Sequence, residues 1–137
     1  MSFPLNFDIR HRYKTLDSGI QIRAALSHGS CAAVCQAKVD TGSEVCLFQR
    51  DIGETLGIDV ESGYRLELGT LTSGGLIAYG HEVTLYTLDL EFDSFVYFAE
   101  DYNLPRNILG REGWLRNVRM AVVDYDAEIY LSPYDSA

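Results

Sequence analysis

The chain has 137 residues, enough for one domain with a real core, and its 47% hydrophobic and 23% charged content is that of an ordinary globular protein. A formal net charge of −9 argues against nucleic-acid binding and against docking on an anionic membrane, both of which call for a basic surface. No apolar run approaches the roughly 20 residues of a membrane-spanning helix. Met1 to Asp8 shows no basic stretch leading into an apolar one, as a secretory leader would. Three cysteines, Cys31, Cys35 and Cys46, are too few and too uneven for a disulfide framework, so a reducing cytoplasm is the expected setting.

Leu5 to Tyr13 alternates imperfectly and predicts a strand. Leu16 to Gly19 is a turn, and Ile20 to Leu26 alternates well enough to predict a second strand. Ser27 to Ser30 connects it to a third, Cys31 to Asp40. Phe48 to Leu56 has helical spacing, with Gly57 as its stop. Tyr64 to Leu68 and Leu76 to Tyr79 flank the small residues Gly69 to Gly75 and predict a long hairpin with a lightly packed tip. Val83 to Phe92 and Ser94 to Ala99 read as two strands around a turn at Asp93. Ile108 to Gly110 reads as a short buried piece, and Arg111 to Arg116 as a short helix. Val118 to Asp124 and Glu128 to Leu131 form a last hairpin. Many short strands and one clear helix, with no repeat or linker, predict a single all-β, barrel-like domain over 1–137.

The chain is organised around Ala37 to Leu47. A β-prone run carries Asp40 into a Thr41-Gly42-Ser43 turn and leaves through a second apolar stretch. Thr41 is β-branched and stiffens a narrow loop. Gly42 lets backbone N–H groups approach the carboxylate. Ser43 is placed to donate a hydrogen bond to it. A carboxylate presented in this way suits acid or base chemistry. The same residues also suit a plain turn between strands.

Val39-Asp40-Thr41-Gly42-Ser43, followed by Ile108-Leu109-Gly110-Arg111, resembles the retropepsin-like aspartic proteases. The resemblance covers roughly residues 20 to 132 and keeps the family's order of active loop, helix, glycine-tipped hairpin and apolar-apolar-Gly piece. It implies a partly open or closed barrel of the acid-protease type with one or two short helices. One active loop per chain implies a homodimer, each copy giving one catalytic Asp40. The two carboxylates would share one proton and activate a water to hydrolyse a peptide bond, without metal or other cofactor; the aspartic-protease dyad is a standard instance of such a pair.

The resemblance also assigns supporting roles. Thr41 would cross-bond beneath the dyad, and Gly42 would offer its carbonyl to an extended peptide. The hairpin from Gly69 to Tyr79, with Gly74, Gly75, Leu76 and Tyr79, would be the flap. Glu44 and Arg111 would form an ion pair beside the loop. Asp17-Ser18-Gly19 also fits the active-loop pattern but follows no apolar strand and reads as a turn.

Lys38 departs from the family, and Ser43 from its retroviral members. Lys38 lies on the Asp40 face by strand alternation, where relatives carry an apolar residue of the first specificity pocket. It is open to two readings: a cation in the pocket that selects acidic or polar residues and favours carboxylate in the dyad, or a side chain that runs out to water. Ser43 replaces the alanine usual in retroviral members. The cysteines read as packing, and His11, His28 and His81 are too scattered for a nucleophilic triad. An inactive retropepsin-like domain kept for dimerisation or peptide binding is the alternative function. An unrelated β-barrel binding module is a third.

Overall fold

The computed structural model describes residues 1–69 and 75–136. Its strands are β1 (Ile9–Arg12), β2 (Gln21–His28), β3 (Cys31–Val39), β4 (Leu47–Phe48), β5 (Tyr64–Leu68), β6 (Leu76–Thr87), β7 (Leu90–Ala99), β8 (Asn107–Leu109), β9 (Val118–Val123) and β10 (Glu128–Pro133). Among the described residues one α-helix, α1, spans Arg50–Thr55.

Six strands close into a barrel in the order β2-β3-β8-β4-β7-β6, because β6 pairs back onto β2. β5 hangs on the outer edge of β6. β3 and β8 run parallel, as do β4 and β7. A separate three-stranded sheet, β1-β10-β9, brings the first strand against the last. Alternation explains the core. Ile22, Ala24 and Leu26 of β2 point in, as do Val83 and Leu85 of β6 and Val96 and Phe98 of β7. Each large aliphatic or aromatic side chain so buried contributes about 1.5–3 kcal/mol. The single tryptophan, Trp114, is fully buried, and its indole N–H donates to the Thr87 hydroxyl at 2.9 Å.

The all-β expectation holds. Leu76 to Tyr79 and the strand expected from Val83 are one strand, β6, which runs on through Gly80-His81-Glu82, and four further features differ from the sequence reading. The first strand is only Ile9–Arg12. The helix starts at Arg50, because Leu47 and Phe48 are drawn into β4. It stops as expected: Gly57 is left-handed (φ 75°), and Gly57 and Ile58 donate back to the Glu54 and Gly53 carbonyls.

The third difference is the β6–β7 turn, which lies at Leu88-Asp89 and not at Asp93. Asp93 is in mid-ladder opposite Thr84. Leu88 takes a left-handed φ of 52° without being Gly or Asn, so nothing in its residue type marks the turn. The fourth is Arg111 to Arg116, which is not a helix. The N–H groups of Arg111 and Glu112 are bonded to the carbonyls of Ser43 and Glu44, and Gly113 is left-handed (φ 95°). Only Leu115–Asn117 winds into a 3₁₀ turn.

Candidate active site

β3 delivers Asp40 one residue past its end, where Val39 lies opposite Leu109 of β8. The Asp40 N–H donates to the Leu109 carbonyl at 3.0 Å, so the ladder holds the loop up to the acid itself. The chain then turns, with the Ser43 N–H donating to the Asp40 carbonyl at 3.1 Å. The Gly42 N–H donates to the Asp40 carboxylate Oδ1 at 3.0 Å. A Cβ on Gly42 would stand 3.3 Å from the same oxygen, a tight contact that glycine avoids. Asp40 is half-buried, while Thr41 and Gly42 are exposed beside it.

Ser43 behaves differently from expectation. Its hydroxyl donates to the Val45 carbonyl at 2.7 Å, so it braces the exit of the loop and not the carboxylate. Beneath the loop, Arg111 N–H donates to the Ser43 carbonyl and Glu112 N–H to the Glu44 carbonyl, both at 2.8 Å. Gly110 sits between them with its N–H on Cys46 Sγ at 3.4 Å. Burial pushes the Cys46 thiol up to about 12, which keeps it a neutral packing group. Ile108 is half-buried, and Leu109 and Gly110 are buried.

The expected ion pair of Glu44 with Arg111 is absent among the described residues. Both side chains are exposed and line one small cavity with Glu112 and Arg116, where the ion pair is Arg116–Glu112 at 4.0 Å. The main-chain bonds already fix this junction, and solvent-exposed charges gain little from closing on each other.

Lys38 is half-buried and runs along the Gly19 turn. A Cβ on Gly19 would stand 2.6 Å from Lys38 Cε and 3.4 Å from Nζ. Among the described residues Lys38 makes no ion pair with Asp40 or with any other carboxylate. The Asp17-Ser18-Gly19 segment is an exposed turn, with Gly19 left-handed (φ 74°).

The β5–β6 hairpin keeps its register out to Leu68 opposite Leu76. Gly75 is exposed and left-handed (φ 71°), and Leu76 is half-buried. Gly74 lies outside the described residues. Tyr79 is not presented to a ligand. Its ring is buried in the core, and its hydroxyl donates to the Glu100 carboxylate at 2.7 Å, because position 79 falls on the inward face of β6.

Pairing places further residues on the Asp40 side of the sheet. Opposite partners run Gln21–Lys38–Ile108–Leu47–Tyr97–Gly80–Tyr64, one row across six strands and the hairpin arm. Asp40 stands two residues beyond Lys38 on that face. Buried Leu47 and half-buried Tyr97 belong to this face, a placement that escaped the sequence reading. They reach it through the parallel β4–β7 pairing, which leaves no local signal. Among the described residues no three His, Cys, Asp or Glu side chains gather to hold a metal ion.

No protein-family model matches the chain, and no curated protein matches it. Among solved structures, it is similar to the EIAV protease in complex with the inhibitor HBY-793. The identity is 17% and the TM-score 0.50, over 72% of this chain and 86% of that one. At that identity the likeness speaks for the fold: the closed all-β barrel is of the retropepsin-like type.

Proposed function

We propose that the chain is an aspartic endopeptidase that works as a homodimer. The observation that carries this reading is the Asp40 loop. In a barrel of retropepsin-like type, it presents one half-buried carboxylate, held by the Gly42 N–H, next to exposed Thr41 and Gly42. One such loop per chain makes half a site, and a two-fold axis through it supplies the other half.

Two facing Asp40 carboxylates hold one proton between them. The charged one takes a proton from a bound water as its oxygen attacks the scissile carbonyl carbon. The protonated one donates its proton to the carbonyl oxygen as that oxygen gains charge. When the tetrahedral species collapses, one of its hydroxyls returns its proton to the carboxylate that gave one up, the C–N bond breaks, and the amine leaves with the other carboxyl's proton, which restores the dyad. Thr41 of each copy braces the paired loops. The substrate lies extended under the β5–β6 hairpin as an added strand, with Leu76 and Gly75 near the covering tip.

The alternative, a dimerisation or peptide-binding module without chemistry, draws on Lys38. The course of Lys38 along Gly19, with no ion pair to Asp40, supports the enzyme reading instead. Cleavage of an unfolded protein between about pH 4 and 7 tests it. Wild type is expected to cut as a sedimenting dimer, and Asp40→Asn to cut not at all. Cleavage retained by Asp40→Asn overturns the assignment. A peptide-binding dimer that never cuts selects the alternative.

A further inference from the structure

At the end of the barrel remote from Asp40, β6 changes partner. It pairs with β5 as far as Gly80 and with β2 from Thr84 onward. Between them, among the described residues, no strand pairs with positions 81–83 on that side, where Val60 and Gly63 pack against Gly80 and His81. This gap opens into a groove of about 560 Å³. One wall is the β2–β3 turn, with Ser27, His28 and Gly29, and the other carries Glu82, Asp93 and Phe95 of β6 and β7.

Alternation turns Val83, Ser94 and Val96 inward and leaves Glu82, Asp93 and Phe95 exposed. Glu82 lies opposite Phe95. Asp93 lies opposite Thr84, whose hydroxyl donates to it at 3.3 Å. No Lys or Arg lines the groove, and neither carboxylate has an ion-pair partner among the described residues.

Phe95 is 42% exposed yet firmly seated. It meets Tyr97 edge-on, with centroids 5.5 Å apart at 88°, and both rings lie over Gly80. A Cβ there would stand 2.4 Å from the Phe95 ring and 3.0 Å from Tyr97. Tyr97 also belongs to the row that crosses the Asp40 face, so the aromatic pair joins the groove to that surface.

An exposed aromatic ring and two carboxylates without an ion-pair partner call for a cationic occupant. The ring attracts a cation, and a carboxylate takes a guanidinium through two parallel hydrogen bonds. The net charge of −9 steers the same ligand. We propose that this groove docks an arginine-bearing peptide segment, with a guanidinium against Phe95 and within reach of Glu82 and Asp93. The proposal does not rest on the chemistry of Asp40.

The test is fluorescence anisotropy of the full chain with a labelled, acetylated heptapeptide carrying two arginines at alternate positions. Glu82→Gln/Asp93→Asn is expected to weaken binding at least about tenfold, and Phe95→Ala about fivefold. A control variant, Asp17→Asn/Asp126→Asn, makes the same change in charge at exposed positions elsewhere and is expected to stay within about twofold of wild type. Buried-Trp114 fluorescence checks that each variant is folded, and the carboxylate pair, being exposed, carries the test if Phe95→Ala is not. Equal weakening by the two double variants would reduce the binding to non-specific charge attraction and overturn the proposal. So would equal affinity for a peptide with glutamates in place of the arginines.

Discussion

Gly110 lies so close beneath Val45 that a Cβ on it would stand 2.0 Å from the Val45 carbonyl oxygen and 2.8 Å from that of Ser43. Both obstacles are main-chain atoms bonded into the Asp40 loop, so neither can swing aside. Gly110→Ala must therefore push the loop away from β8 or unfold it. Overpacking usually costs about 1–3 kcal/mol, and this backbone clash is expected at or above the top of that range. Denaturant unfolding followed through Trp114 reads the loss directly. A change below about 0.5 kcal/mol would mean that the loop and Gly110 are not in contact as described.

How far this arrangement was legible in the sequence depends on which contacts are local. Asp40, Thr41 and Gly42 are adjacent, and their turn follows from residue type. The apolar-apolar-Gly piece was legible as a motif, although its contact with Val45 is long-range. The Leu88-Asp89 turn was invisible, because apolar alternation runs on through Thr87 and Leu90 while Asp93-Ser94 looks more like a turn. The absent helix after Gly110 has another cause: Gly113 is left-handed, and the Leu115 and Arg116 N–H groups reach back five residues, to the Gly110 and Arg111 carbonyls. Leu47 and Tyr97 joined the Asp40 face only through parallel pairing, which has no sequence period of its own.

Tyr79 separates a packing residue from a substrate contact. Its hydroxyl meets Glu100, and its ring is buried. Tyr79→Phe keeps the ring and removes the bond. Cleavage by this variant is expected within about twofold of wild type, with the melting point lower by a few degrees. A fall in kcat/KM of about tenfold or more with unchanged stability would return Tyr79 to the substrate side.

The Glu44–Arg111 junction is predicted to hold through its main chain. A double-mutant cycle with Glu44→Gln and Arg111→Gln is expected to give a coupling energy below about 0.5 kcal/mol. A coupling of about 1 kcal/mol or more would show that the two charges close on each other in solution.

Stability is expected to fall on the alkaline side. Burial, with Asp51 nearby, pushes the Cys35 thiol up to about 11, and burial pushes Cys46 up to about 12. The hydrogen bond from Tyr13 to Asp124 pushes the phenol up to about 12, with burial and the Asp124 charge adding to it. Each group holds its proton more tightly folded than unfolded, from ordinary values of 9.0 for the thiols and 10.0 for the phenol. Their stabilisation is thus complete below about pH 9 and is lost as pH rises from there toward about 12. Urea midpoints across that range, read by Trp114, are expected to decline. Tyr13→Phe should flatten the decline above about pH 10. A profile that does not change with Tyr13→Phe would contradict the phenol's share.

The claim that one catalytic centre needs Asp40 from two chains is tested most directly by mixing. Wild type and Asp40→Asn are co-refolded at fixed total concentration, and cleavage of an unfolded protein is measured against the wild-type fraction. If each centre requires two intact copies, activity follows the square of that fraction, about a quarter at equal mixing. Activity that falls in simple proportion, about half at equal mixing, would place a complete centre in each chain and contradict the account.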